Sequence, residues 1–250
     1  MKPEEVIKAL GIPSSSRVDQ RIPKKMLIDH GAPTSSDKRT INESIEDIHW
    51  LAALRPGSLG VAAFKDEVRE YLEIAVLKVN CRPGAKVQKL AQLVHRAVPY
   101  PILLIQAQAK GTLLSLSHLR WSQAESGKTV LDGTVLMAEL TKQGDLEQNF
   151  VDSLEVARNT QGNLYEFYQV WIERIEAYAA SGVTGVYETA VDGGRSAIRR
   201  QALADYERIS KEITQLRQLA SRERQVSRRV EANLKLKQLE SLLAQASAKM

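Results

Sequence analysis

Residues 71–119 read YLEIAVLKVNCRPGAKVQKLAQLVHRAVPYPILLIQAQAKGTLLSLSHL, and this stretch decides the fold. Tyr71 to Val79 alternates as a strand does, with Leu72, Ile74 and Val76 on one face and Ala75, Leu77 and Val79 on the other. Apolar side chains on both faces make it a central strand, because each face needs cover. Arg82-Pro83-Gly84 then opens a helix over Ala85 to Val98, whose Val87, Leu90, Val94 and Ala97 form one stripe. Pro99-Tyr100-Pro101 stops that helix. Ile102 to Ala107 and Leu113 to Leu119 follow as strands, joined as a hairpin through Lys110-Gly111. On the N-terminal side, Ile48 to Leu54 reads as a further strand, ended by Arg55-Pro56-Gly57. The order strand, strand, helix, strand, strand specifies an α+β fold, a mostly antiparallel sheet with packed helices.

The flanks add helices and loops. Pro3 suits the first turn of a short helix over Lys2 to Leu10. Arg21-Ile22-Pro23-Lys24-Lys25 is a compact basic element that reads as an extended loop or edge strand, since its proline removes a ladder donor. Ser36 is placed to cap a helix over Asp37 to Ser44. Beyond a turn at Ser126-Gly127-Lys128, Thr129 to Leu140 reads as a strand leading into helical sequence. Leu146 to Tyr178 is helical, with Leu164, Phe167, Trp171, Ile175 and Tyr178 at three- and four-residue steps, and Ser181-Gly182 ends it. Asp192-Gly193-Gly194 reads as a hinge. The organisation expected is a core domain over 1–140, a helical segment over 141–190 and a long basic coiled-coil helix over 195–248.

That last helix has no Gly or Pro after Gly194. Its apolar residues recur at Tyr206, Ile209, Ile213, Leu216 and Leu219, then Val226, Val230 and Leu234, then Leu239, Leu242 and Ala246. The spacing slips between Val230 and Leu239, as a stutter does. A narrow apolar stripe cannot hold a lone helix together, so a partner is expected on Ile209, Ile213, Leu216, Val226, Val230 and Leu234. Charge is local to the same region. Of 35 Lys and Arg and 30 Asp and Glu, residues 195–250 hold thirteen cations and six anions, a surplus of seven, leaving the preceding residues near −2. Arg222, Arg224, Arg228 and Arg229 are the densest part. Arg224 and Arg228, four apart, put guanidiniums on one helix surface, a pattern that suits phosphates as well as a solvated face. Arg21, Lys24 and Lys25 form a second basic set.

Other chemistry is thin. One cysteine, Cys81, in 250 residues excludes an internal disulfide and a cysteine zinc site. Gly127-Lys128-Thr129 lacks the first glycine of a phosphate loop, position 122 being Ser. Histidines 30, 49, 95 and 118 show no ligand spacing, Cys81 and His95 have no orienting third group, and no metal or cofactor is expected. Tyr165, Phe167, Tyr168, Trp171 and Tyr178 have the spacing of a core or docking face. A nuclease using Asp66, Glu70 and Glu73 is conceivable, although Glu73 and Lys78 lie on opposite strand faces. With no apolar run long enough for a span or leader, a cytoplasmic, non-membrane protein is expected.

Four segments carry a resemblance: Arg21 to Lys25; Ile48-His49-Trp50 on to Leu54-Arg55-Pro56; Ala97-Val98-Pro99-Tyr100-Pro101-Ile102-Leu103; and Arg222 to Asn233, ending in Val230-Glu231-Ala232-Asn233. In order and pattern they resemble a bacterial domain-of-unknown-function family, number four-three-nine-one. Ser227 departs from the Asn of that pattern, and Leu51, Ala52 and Ala53 replace its charged strand residues. The resemblance implies a setting among helicase and DNA-methyltransferase genes in phage-defence islands, and it carries over no catalytic residue. The function expected is a non-catalytic accessory subunit of an anti-phage, restriction-like complex, binding a helicase or methyltransferase and in part DNA. The alternatives are a Mg-dependent nuclease and a structural homodimer paired through the terminal helices.

Overall fold

The computed structural model describes residues 1–125, 127–159, 162–189 and 193–250. They form two compact units, Met1–Ile175 and Glu176–Met250, so the helical segment expected over 141–190 is divided between them. In chain order the elements are α1 (Pro3–Ala9), β1 (Arg17–Arg21), α2 (Lys24–Gly31), α3 (Ser35–Ser44), β2 (Ile45–Leu54), α4 (Pro56–Leu59), β3 (Phe64–Lys65), β4 (Glu70–Tyr71), β5 (Ile74–Cys81), α5 (Val87–Ala97), β6 (Ile102–Gln108), β7 (Gly111–Trp121), β8 (Thr129–Leu140), α6 (Asp145–Ser153), α7 (Leu164–Thr184), α8 (Gly193–Arg222) and α9 (Val226–Ser247).

The first unit is an α+β fold on a six-stranded sheet ordered β1-β2-β5-β6-β7-β8, with β3 and β4 as a separate small ribbon. All neighbours are antiparallel except β5 and β6, which run parallel with Leu77 opposite Leu104. A parallel pair needs a crossover, and α5 supplies it. Central placement of β5 follows from its composition, Ile74 to Leu77 and Val79 all being buried. On one face Ala75, Leu77 and Val79 pack with Leu90, Val94 and Ala97 of α5, Leu27 of α2 and Ile41 of α3. On the other, Glu4 of α1 pairs with Lys78 at 2.8 Å, and the Tyr168 hydroxyl of α7 donates to the Ile102 carbonyl and accepts from the Ser117 amide. The sheet is therefore the middle of three layers.

Several boundaries differ from the sequence reading, each for a local reason. Lys24 and Lys25 open a helix rather than extending a strand, because Pro23 sits at the N-cap, where its missing N–H costs nothing. The cap of α3 is Thr34, whose hydroxyl accepts from the Asp37 amide at 3.1 Å, rather than Ser36. Thr129–Leu140 is strand throughout, held along β7. The helical stretch breaks between Ser153 and Leu164, and α7 runs past Ser181-Gly182 to Thr184. Gly182 lies in the last turn of this 21-residue helix, where a glycine costs at most about 1 kcal/mol and does not stop it. Gly127 makes its expected turn at φ +75, while Ser126 and Asp192, expected in a turn and a hinge, lie outside the described residues. Gly193 and Gly194 are the first residues of α8.

The single 195–248 helix is the main correction. A long C-terminal helix is present, but the chain folds back on itself: α8 and α9 are joined by Glu223-Arg224-Gln225 and run antiparallel. Lys235 meets Glu212 at 2.9 Å, and the Arg199 Nε donates to the Met250 carbonyl at 3.3 Å. Ile209, Ile213 and Leu239 are buried, with Leu216, Leu236 and Leu243 packed against them. The reason is the seam itself, which a three-residue turn lets the chain cover without another molecule. No breaker is needed, since the Glu223 carboxylate accepts the Gln225 amide at 2.8 Å.

One core group titrates usefully. His95 of α5 is buried against Ser115 of β7, with Nε2 to Oγ 2.9 Å, and burial pushes its imidazole from 6.5 down to about 3. Its folded pKa is thus below its unfolded one, so in that window the unfolded chain holds a proton that the folded chain refuses. Stability from this residue is therefore full above about pH 6.5 and is lost as the pH drops from there toward about 3, at up to about 1.4 kcal/mol per pH unit. Urea titrations from neutrality to about pH 4 should show a slope that His95→Gln makes shallower by about one proton; equal slopes would contradict the assignment.

Candidate functional site

The candidate site is built by the α8–α9 hairpin. Arg222 ends α8, Arg224 lies in the turn, and Arg228 and Arg229 occupy the first turn of α9, so the four guanidiniums gather at one tip rather than along one helix surface. All four are exposed. Elsewhere in the hairpin Arg208 pairs with Asp205, Arg217 with Glu240 and Lys235 with Glu212, whereas among the described residues no ion pair holds the tip arginines. Arg222 is favourably placed against the negative end of α8. Arg228 and Arg229 sit at the positive end of α9, whose first turn has no acid, an arrangement that costs about 0.3 to 1 kcal/mol per charge.

The same turn divides the expected seam. At about 100° per residue, Leu236, Leu239, Leu243 and Ala246 lie on one side of α9 and Val226, Val230 and Leu234 on the other. The slip read as a stutter is the hand-over between these two stripes. Ile209 and Ile213 are 4% and 5% exposed and are covered by α9 together with Leu216. Val226, Val230 and Leu234 are 64%, 51% and 61% exposed. Half of the expected partner surface is therefore internal, and the other half is a stripe beginning at the basic tip.

In the first unit the basic set divides too. Lys24 donates to the Ile45 carbonyl at 2.5 Å, and burial lowers its pKa. Arg21 and Lys25 are exposed. The carboxylates proposed for a nuclease are each engaged: Asp66 accepts the Val68 and Arg69 amides, Glu70 pairs with Lys65 at 2.6 Å, and Glu73 pairs with Arg55 at 2.8 Å. Among the described residues no group of three or more His, Cys, Asp and Glu is placed to hold a metal. Burial raises the Cys81 thiol to about 11, so it stays protonated and is a poor nucleophile at neutral pH.

Sequence reading missed one polar chain. The Tyr71 hydroxyl lies 2.6 Å from His118 Nδ1, His118 Nε2 lies 2.8 Å from Gln169 Oε1, and Gln169 Nε2 donates to Glu173 at 2.9 Å. Because the amide oxygen accepts, Nε2 carries the proton and Tyr71 donates to Nδ1. Burial raises the Tyr71 pKa, so that donor persists at neutral pH. Tyr165 packs against Tyr71 and His118, with Arg69 over its ring at 5.0 Å. The chain fixes α7 to β4 and β7, joining residues 47 to 51 positions apart, a separation that periodicity does not reveal.

These features define a class, an α+β domain followed by a helical hairpin with a basic tip. The chain belongs to a family described as Domain of unknown function (DUF4391), whose profile matches residues 10–243. No curated protein and no solved structure matches it.

The two stripes give a direct test. Ile213→Asp should unfold the hairpin, seen as fast hydrogen exchange across α8 and α9, while Val230→Asp should change stability by less than about 0.5 kcal/mol in urea. Equal losses would show that both stripes are internal.

Proposed function

We propose that this chain is a non-catalytic accessory subunit of an anti-phage, restriction-like complex, gripping the phosphates of DNA through the hairpin tip and a helicase-type partner through Val226, Val230 and Leu234. The observation that carries this reading is the set of four exposed arginines, outside any described ion pair, two of them set against the dipole of their own helix. A duplex phosphate beside Arg228 and Arg229 reverses the sign of that interaction, since anions are stabilised where helix N–H groups point. The apolar stripe runs from the same tip, so one partner can contact both. The setting beside helicases and methyltransferases rests on the family resemblance.

Two observations weigh against the alternatives. Half of the seam that terminal-helix pairing would use, Ile209, Ile213 and Leu216, is covered by Leu239 and its neighbours. The Asp66, Glu70 and Glu73 carboxylates are held by amides and cations rather than directed at a common point.

Fluorescence anisotropy with a labelled duplex tests the DNA half. Reversing Arg224, Arg228 and Arg229 to Glu should abolish binding, and neutralising them to Ala should reduce the slope of log K against log salt by about 3. Unchanged affinity and slope would refute the phosphate contact. For the partner half, tagged chain from its host should recover a helicase or methyltransferase, and Val230→Asp with Leu234→Asp should lose it. Recovery that survives both changes would exclude the stripe as the dock.

A further inference from the structure

The helical layer of the first unit leaves a gap. Between α2, the C-terminal end of α5 and the start of β8 lies a groove of about 490 Å³, within the range of roughly 300 to 1,000 Å³ typical of small-ligand sites. Its apolar lining includes Ile22, Leu27, Ile48 and Leu77. The close approach of α2 to α5 shapes one wall: a Cβ on Gly31 would stand 2.5 Å from the Ala97 Cβ, so only glycine allows that packing.

We propose that this groove binds a small anion carrying a flat apolar ring, the chemistry of a nucleotide. Two observations fix that chemistry. The ring of Tyr100 lines the groove and is backed by Trp50, with centroids 6.3 Å apart and planes 28° from parallel; a stacked pair is a ready platform for a further ring. Arg96, also in the lining, is exposed and in no ion pair among the described residues. Lys128, paired with Glu125, and His30 share the lining, where Asp29 is the single carboxylate. The charge balance therefore favours an anion, held by the fork of the guanidinium.

The site also gathers sequence that the hairpin leaves unexplained. Ile22, Ile48 and Ala97 to Tyr100 come from three segments far apart in the chain. Ile48 and Ala97 are buried, while Tyr100 packs on the core by one part of its surface and leaves the rest open beside exposed Arg96. This inference is independent of the hairpin reading.

The same ring and phosphate are offered by a free nucleotide and by the end of a nucleic-acid strand. Calorimetric titration of the full chain separates them, using adenosine monophosphate, adenosine, and a short DNA strand with a terminal phosphate. The strand is tested in the Arg224→Glu, Arg228→Glu, Arg229→Glu background, which removes binding at the tip. Adenosine monophosphate or the phosphorylated strand should bind, whichever does so naming the source. Adenosine should bind at least about tenfold more weakly, and Arg96→Glu should lose at least about tenfold, with partial recovery in Arg96→Lys. Arg39→Glu, on exposed α3, should bind as the parent does. No binding of either phosphate, equal binding of adenosine, or indifference to Arg96→Glu would each overturn the proposal.

Discussion

A strand that is apolar on both faces cannot sit at the surface of anything, and β5 sets the terms for the rest of the first unit. Ile74 to Leu77 and Val79 are buried, and at roughly 25 cal/mol per Å² of apolar surface their exposure would be ruinous. One face has to find helices, which α2, α3 and α5 provide, and the other has to find different ones. The parallel neighbour β6 follows from the same demand, because a helix lying over one face carries the chain back to the end of the sheet where β5 began. Buried His95 and its Ser115 partner lie where that crossover helix meets the sheet, a polar pair tolerated because each satisfies the other.

The second unit answers a different constraint with the same logic. A long amphipathic helix exposes its seam, and the chain closes on it three residues after α8 ends. Folding back has two consequences for function. It buries Ile209 and Ile213 and partly covers Leu216, and it gathers charges that a straight helix would have spread over about 10 Å of its length, given a rise of about 1.5 Å per residue. The hairpin thus makes a local basic site out of a diffuse basic segment, and leaves one apolar stripe beside it.

Much of the fold was legible. The alternation at Tyr71 to Val79, the proline stop at Pro99 and Pro101 and the Lys110-Gly111 hairpin are local signals, and the strands and helix they bound are present with ends shifted by a few residues. The candidate site was legible only as composition. Arg222, Arg224, Arg228 and Arg229 stood out as a charge cluster, but the turn that gathers them contains neither Gly nor Pro. Glu223 and Gln225 close it by a side-chain hydrogen bond that leaves no signature in periodicity. The groove at Tyr100 was not legible at all, since Ile22, Ile48 and Tyr100 meet only when β2 lies beside β5 and α2 docks on α5.

What the sequence determined by itself was therefore everything set by neighbours along the chain: the strands and most helices, the α+β class, the basic surplus of the last residues and the existence of a seam needing cover. Only the tertiary structure decided what covered that seam, which of its residues remain outside, and which distant segments share a groove. The physical reason is that an apolar stripe records how much surface has to be buried but not against what. The choice between a second molecule and the chain's own return lies in long-range packing, where a three-residue turn was enough to settle it.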